Sequence, residues 1–153
     1  MNRNTGRAPL SRLAQATIGL EIFLSVGALG GGLALMIGPR GEIIPLSVSS
    51  LAGSPFATYF VPGAILFGVL GLGPLVAASL AWIRHPLAPF AAVMTGGGLL
   101  IWLIVEIAIV GYTSNPPLQP FYLLLGLAII GAGLRWFGAR PAGGHHETWK
   151  AVR

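Results

Sequence analysis

Residues 13–37 read LAQATIGLEIFLSVGALGGGLALMI. Gln15 and Glu21 are the only strongly polar side chains in this run. A helix needs about 20 mostly apolar residues to cross a hydrocarbon layer roughly 30 Å thick. The run is long enough. It also lacks the polar-apolar alternation over about ten residues that a membrane strand requires. It predicts a membrane-spanning helix. Three more runs of the same kind follow, at about 57–83, 87–110 and 120–138, the third of the four containing Glu106. The expected architecture is an all-α membrane protein, a four-transmembrane-helix bundle forming one domain over 13–138. A short N-terminal segment, 1–12, precedes it, and a polar tail, 139–153, expected to be mobile, follows it.

Punctuation residues support these limits. Gly38-Pro39-Arg40-Gly41 stops the first run. Ser54-Pro55 reads as a helix start, a capping hydroxyl followed by proline at the first helical position. Arg84-His85-Pro86 leaves almost no loop between the second and third runs, which predicts a tight antiparallel hairpin. Asn115-Pro116-Pro117 and Arg140-Pro141 bound the fourth. The longest connection, from Gly38 to Phe56, is expected to be a plain loop. Its apolar stretch from Ile43 also suits a segment lying on the membrane or dipping back against the bundle.

Composition agrees. Of 153 residues, 54% are hydrophobic and only 8% charged, and the mean hydropathy is +0.79. A soluble domain carries about 25% charged residues. An ordinary cytosolic enzyme, a disordered chain and a nucleic-acid-binding domain are excluded. The net charge of +5 does not point to nucleic acid, because the basic residues sit in short segments between apolar runs and form no stripe. There is no cysteine, so thiolate chemistry, iron–sulfur clusters and cysteine-based zinc sites are ruled out.

The basic residues also predict an orientation, since cytoplasmic segments carry the excess of Lys and Arg. Arg3, Arg7, Arg12, Arg84, Arg135, Arg140, Lys150 and Arg153 fall on one side, and Arg40 alone on the other. Both termini are therefore expected in the cytoplasm, with a bacterial inner membrane as the expected location. A cleaved signal peptide is the competing reading of the N-terminus. Against it, the apolar run is about 25 residues and contains Glu21, whereas a signal core spans roughly 7–15.

Small residues provide the expected packing surfaces. Gly27, Gly31 and Gly32 in the first run, Gly98 in the third and Gly126 in the fourth are expected at helix contacts, because lipid offers apolar helices no hydrophobic reason to associate. Gly30-Gly31-Gly32-Leu33 recurs 66 residues later as Gly96-Gly97-Gly98-Leu99. Duplication of a hairpin and chance in a chain of 23 glycines both account for it. Pro62 and Pro74 lie inside the second run and are expected to kink it.

The two glutamates within the runs are the chemically informative residues. A charge at the bilayer centre costs at least about 2.5–3.5 kcal/mol, so such groups face the interior and find partners or stay neutral. Glu21 lies nine residues past Arg12, roughly 13 Å along a helix. Thr17, Glu21, Ser25 and Ala28 share one helical face. Glu106 lies near the other end, on a face with Thr95, Gly98 and Trp102. It is expected to meet Gln119, Tyr122 and Tyr59 in a polar cluster. The candidate ligand-binding residues are thus Glu106, Gln119, Tyr122, Tyr59, Glu21 and Ser25. The plainer reading of each glutamate is a carboxylic acid hydrogen-bonded to a neighbouring helix. No metal site and no cofactor are expected: His145-His146-Glu147 are adjacent residues in a glycine-flanked tail, and His85 is at a turn. The runs hold no histidine, and their serines have no nearby base.

Leu51-Ala52-Gly53-Ser54-Pro55-Phe56, Tyr59-Phe60-Val61-Pro62-Gly63 and Leu118-Gln119-Pro120-Phe121-Tyr122 together resemble small bacterial four-helix membrane proteins with no assigned function. The likeness spans about residues 51–134. It implies a four-helix topology and no activity.

Three functional readings follow. The first is a structural or accessory subunit of a membrane complex, or a homo-oligomer, packed through its glycine faces. The second is a binder or transporter of a small molecule or lipid that uses Glu21 and Glu106. An intramembrane enzyme is the weakest of the three. The lipid bilayer is the partner common to all, and nucleic acid is a partner in none.

Overall fold

Backbone amides in hydrocarbon must find their partners within the chain, which favours unbroken helices. The computed structural model describes residues 10–112 and 118–139, and among these it contains helices and turns but no strand. Helix α1 is Arg12–Ile37, α2 is Phe60–Trp82, α3 is Ala88–Val110 and α4 is Leu118–Gly138. All four are long and apolar enough to cross a membrane. Asn115-Pro116-Pro117, Arg140-Pro141, His145, His146 and Glu147 lie outside the described residues.

The helices form a ring. α1 packs on α2, α2 on α3, α3 on α4 and α4 on α1, while α1 and α3 barely touch and α2 and α4 do not. The end holding the start of α1 and the α2–α3 turn is termed the near end; the opposite end is the far end. Polarity is inverted relative to a soluble bundle. Leu124 and Ile104 are each 68% exposed and Trp82 69%, whereas Thr17, Glu21, Ser25 and Gln119 are buried. An apolar surface around all four helices matches hydrocarbon and not water.

Local chemistry explains the helix ends. Ser11 caps α1, its hydroxyl accepting from the Ala14 N–H at 3.2 Å. Gly38 closes that helix, donating to the Ala34 carbonyl at 2.9 Å. α2 ends in a Schellman motif. The His85 N–H reaches the Leu80 carbonyl (2.8 Å) and the Arg84 N–H the Ala81 carbonyl (3.1 Å), with Arg84 at φ 59° in the position that usually takes glycine. His85 Nδ1 then accepts from the Leu87 N–H at 3.2 Å. The chain therefore turns straight into α3, as the sequence predicts for this hairpin.

The segment between α1 and α2 departs from the expected plain loop. It folds back as a cap over the far end. Leu51 and Tyr59 are buried against Leu35, with Ile44, Leu46, Phe56, Leu66 and Ile109 around them. Residues Val48–Leu51 form a short 3-10 turn. Tyr59 fastens the cap at both of its ends: its N–H donates to the Pro39 carbonyl at 2.8 Å, and its hydroxyl to the Ser47 carbonyl at 2.9 Å. Glu42 accepts from the Arg40 N–H at 2.8 Å, which holds its carboxyl below the usual carboxylate range. The expected helix start at Ser54-Pro55 is corrected by the same contacts. Ser54 Oγ accepts from the Phe56 N–H at 3.2 Å, a local turn, and Tyr59 keeps the chain in the cap until Phe60. At the other end of the chain, α4 starts at Leu118, two residues before the expected limit.

The two prolines of α2 behave differently. Pro62 falls in the first turn, where a missing N–H costs nothing, so no kink is needed. Pro74 lies deeper, and its ring would collide with the carbonyl four residues earlier. The helix widens just before it, taking a π-helical course over Leu66–Leu72.

Glycine contacts join the helices within each hairpin. A Cβ on Gly32 would lie 2.7 Å from both the Gly63 carbonyl oxygen and the Phe67 nitrogen; one on Gly63 would lie 2.9 Å from the Gly32 oxygen. Backbone meets backbone here. In α3 and α4, a Cβ on Gly96 would sit 2.7 Å from the Gly126 oxygen, and one on Gly133 2.9 Å from the Pro89 oxygen. Gly98, expected at a contact, meets only Leu70 Cδ2 at 3.9 Å, and Gly31 only Leu66 Cδ2 at 3.6 Å. The face formed by Ala92, Gly96, Leu99 and Leu103 is the buried one, and this phase brings Gly96 inward in place of Gly98. The two Gly-Gly-Gly-Leu segments are thus used in different register, through the third glycine in α1 and the first in α3.

These contacts order the glycines by cost. Gly32→Ala and Gly96→Ala force backbone apart and are expected to destabilise by about 1–3 kcal/mol, the range for overpacking. Gly30→Ala and Gly97→Ala meet nothing within 4 Å and are expected to leave stability unchanged or slightly raised. Unfolding of the detergent-solubilised variants in graded SDS checks the order.

Candidate functional site

Helix α1 carries its polar residues on one face. Thr17, Glu21 and Ser25 are spaced four apart, and all three are 0% exposed. Two of them satisfy themselves. Thr17 Oγ1 donates to the Leu13 carbonyl at 2.9 Å, within its own helix. Ser25 Oγ donates to the Gly71 carbonyl at 2.6 Å, across to α2. Gly71 belongs to the widened segment of α2, where the turns leave the regular hydrogen-bond register. The irregular segment of α2 thus receives a donor from α1.

Glu21 has no such partner. Both carboxyl oxygens are buried, and among the described residues neither has a hydrogen bond. The buried hydrophobic side chains that flank Glu21 on α1 are Ile18 and Leu24. α2 has no titratable residue, α3 has only Glu106, near its far end, and α4 has only Tyr122 and Arg135, near its two ends. As a carboxylate, Glu21 would bear an uncompensated charge among apolar groups; as the acid, it would leave a buried hydroxyl unpaired. Either form is costly, so packing alone gives no reason for a carboxyl at this position.

Glu106 stands in a different situation. It is half-buried at the far end of α3. Gln119 Nε2 donates to the Gly111 carbonyl at 3.1 Å and to Glu106 Oε1 at 3.4 Å. Gln119 thus ties the start of α4 to the end of α3. Tyr122 is directed elsewhere: a Cβ on Gly27 would come within 3.0 Å of its hydroxyl, so the phenol lies against α1. Its ring stands edge-on to Phe121 at 5.4 Å, and Phe121 in turn to Phe23 at 5.8 Å. Tyr59 is committed to the cap. Of the four residues expected to cluster, the structure brings together Glu106 and Gln119 and places Tyr59 and Tyr122 in other contacts.

The Gly71 carbonyl is a polar group of the site that sequence reasoning missed. Its signal was available in Pro74 and in the four-residue spacing of Thr17, Glu21 and Ser25. Among the described residues, no group of three or more His, Cys, Asp or Glu lies close enough to hold a metal ion. No protein family, no curated protein and no solved structure matches the chain.

The Ser25 tie is a single interhelical hydrogen bond in an apolar setting. Such bonds contribute about 0.6 kcal/mol on average and up to about 1.7 kcal/mol. With a 2.6 Å contact, Ser25→Ala is expected near the upper figure. The 3.4 Å contact of Gln119 with Glu106 is long, and a double-mutant cycle on that pair is expected to give a coupling below the average. Both values are read from unfolding in mixed micelles.

Proposed function

We propose that the chain is a multi-pass integral membrane protein with four spans and both termini in the cytoplasm, and that it binds a small molecule or lipid at Glu21. The observation that carries this reading is that, among the described residues, neither Glu21 oxygen has a hydrogen-bond partner. A carboxyl retained only to join helices would be hydrogen-bonded, as Glu106 is to Gln119. An unpartnered ionisable group inside a span is by default a group kept for a ligand. The π-helical segment of α2 adds to this, since such irregular turns recur at functional sites. The accessory-subunit reading draws on the glycine contacts, but the closest of these join helices of the same chain, Gly32 to Gly63 and Gly96 to Gly126.

Native mass spectrometry of the protein released gently from its own membranes tests the proposal. The wild type is expected to retain a non-protein mass that Glu21→Gln loses and Glu106→Gln keeps. Equal retention by all three, or a stoichiometric protein partner in all three with no small mass, overturns the binding role and favours an accessory subunit.

The orientation is tested separately, because the chain has no cysteine to interfere. Cysteine at Ser49, in the cap, is expected to react with an impermeant maleimide in intact cells. Cysteine at Arg3 is expected to react only after lysis. The reverse pattern overturns the orientation.

A further inference from the structure

The surface of the α1–α2 pair is indented. A groove of about 370 Å³ runs between α1 and α2 toward the near end, lined by Ile18, Ile22, Leu75, Ala78, Ser79 and Trp82. Ile18 and Ile22 stand three residues before and one residue after Glu21 in the chain, so the groove flanks the stretch of α1 that carries the carboxyl; Glu21 itself is fully buried and does not line it. Its walls are almost wholly apolar; the Ser79 hydroxyl is turned onto the Leu75 carbonyl at 2.7 Å. Ile22, Leu75, Trp82 and Ile83 are among the exposed apolar side chains, so the groove opens sideways, onto the face that the membrane reading gives to lipid.

Resting on the reading of Glu21 as the binding group, we propose that its ligand is a lipid-soluble amine that enters sideways from the bilayer through the α1–α2 groove. The two parts of such a molecule match the two parts of the site. The apolar body fits walls that offer no hydrogen bond. The protonated nitrogen brings a donor and a positive charge to the carboxyl that has neither. An acid would meet Glu21 with a second acidic group, and a hydrocarbon would leave both carboxyl oxygens unpaired. Toward the near end Ile18, Ala78, Ala81 and Ala88 pack together with Leu10, Leu80 and Trp136 on them, which favours the lateral route over one along the bundle interior. The cap over Leu35, Leu51 and Tyr59 closes the far side of the α1–α2 pair.

Carbodiimide labelling of the full-length protein in lipid nanodiscs tests route and ligand class together. A carboxylic acid adds across a C=N bond of the reagent and rearranges to an N-acylurea, so the whole reagent mass stays on the residue. Dicyclohexylcarbodiimide, dissolved in the lipid, is expected to label Glu21. A water-soluble carbodiimide is expected to label it at least tenfold more slowly. Ser79→Phe, which fills the groove, is expected to slow the lipid-phase reaction several-fold, and Ile22→Ala, which widens it, to speed it. Val76→Phe, an exposed position on α2 outside the groove, serves as the control for the bulk of the new side chain. N,N-dimethyldodecylamine is expected to protect Glu21, as a tertiary amine that cannot be captured as an amide; dodecanoic acid is not.

Equal or faster labelling from water overturns the lateral route. Lipid-phase labelling that the amine does not slow overturns the ligand class. No labelling of Glu21 by either reagent in the folded wild type overturns both. The loss of a retained mass in Glu21→Gln is a separate measurement, so the binding role can stand where the route or the ligand class fails.

Discussion

In hydrocarbon, two apolar helices gain nothing by leaving lipid for each other unless their backbones come close. That constraint governs where this bundle is tight and where it is open. α1 and α2 meet backbone to backbone at Gly32 and Gly63, toward the far end. α3 and α4 meet at Gly96 and Gly126, near mid-span, and again at Gly133 and Pro89, toward the near end. Backbone contact thus lies in the far half of the α1–α2 pair and from mid-span to the near end of the α3–α4 pair, and each carboxyl lies away from it: Glu21 in the near half of α1, Glu106 in the far half of α3.

The two carboxyls then diverge because of what faces them. Glu106 lies where α4 begins, and the first turn of α4 carries Gln119, an amide long enough to reach both Glu106 and the Gly111 carbonyl. Glu21 has no counterpart to Gln119: α2 and α3 carry no amide side chain. The donor and acceptor nearest along its face are already engaged with each other, Ser25 with Gly71.

The four helices were legible because span length and apolar composition are local properties. The limits at Ile37, Trp82 and Val110 carry punctuation in Gly38, Arg84 and Gly111. The buried placement of Thr17, Glu21 and Ser25 was legible too, because four-residue spacing fixes a helical face. What could not be read depends on residues distant in the chain. Gly96 and Gly98 look alike in a glycine triplet, and only the phase of Ala92, Leu99 and Leu103 against α4 selects the first. Ser54-Pro55 has the composition of a helix start, but Tyr59 is bonded back to Pro39 and Ser47, and those contacts decide where α2 begins. The other contacts of Tyr59 and Tyr122 could not be read for the same reason. Each aromatic lies at the far end as predicted, and each has a nearer structural use, one in the cap and one against Gly27.

A site that binds and releases a ligand needs a part of the protein that can yield without unfolding the rest. The far half of the α1–α2 hairpin is poorly suited to this. Its helices touch at backbone atoms, and the cap is bonded across it through Tyr59. The near half is held by Ile18 and Trp136 against Ala78, Ala81 and Ala88, and the two larger side chains can change rotamer. Between the halves lies the π-helical stretch, in which hydrogen bonds have already left the regular ladder, so a shift of register there disturbs fewer of them than it would in a straight helix. Glu21 sits just on the yielding side of that stretch. A helix pair fixed at one end and adaptable at the other opens at the adaptable end, and that is the end where the unpartnered carboxyl and the lipid-facing groove lie side by side.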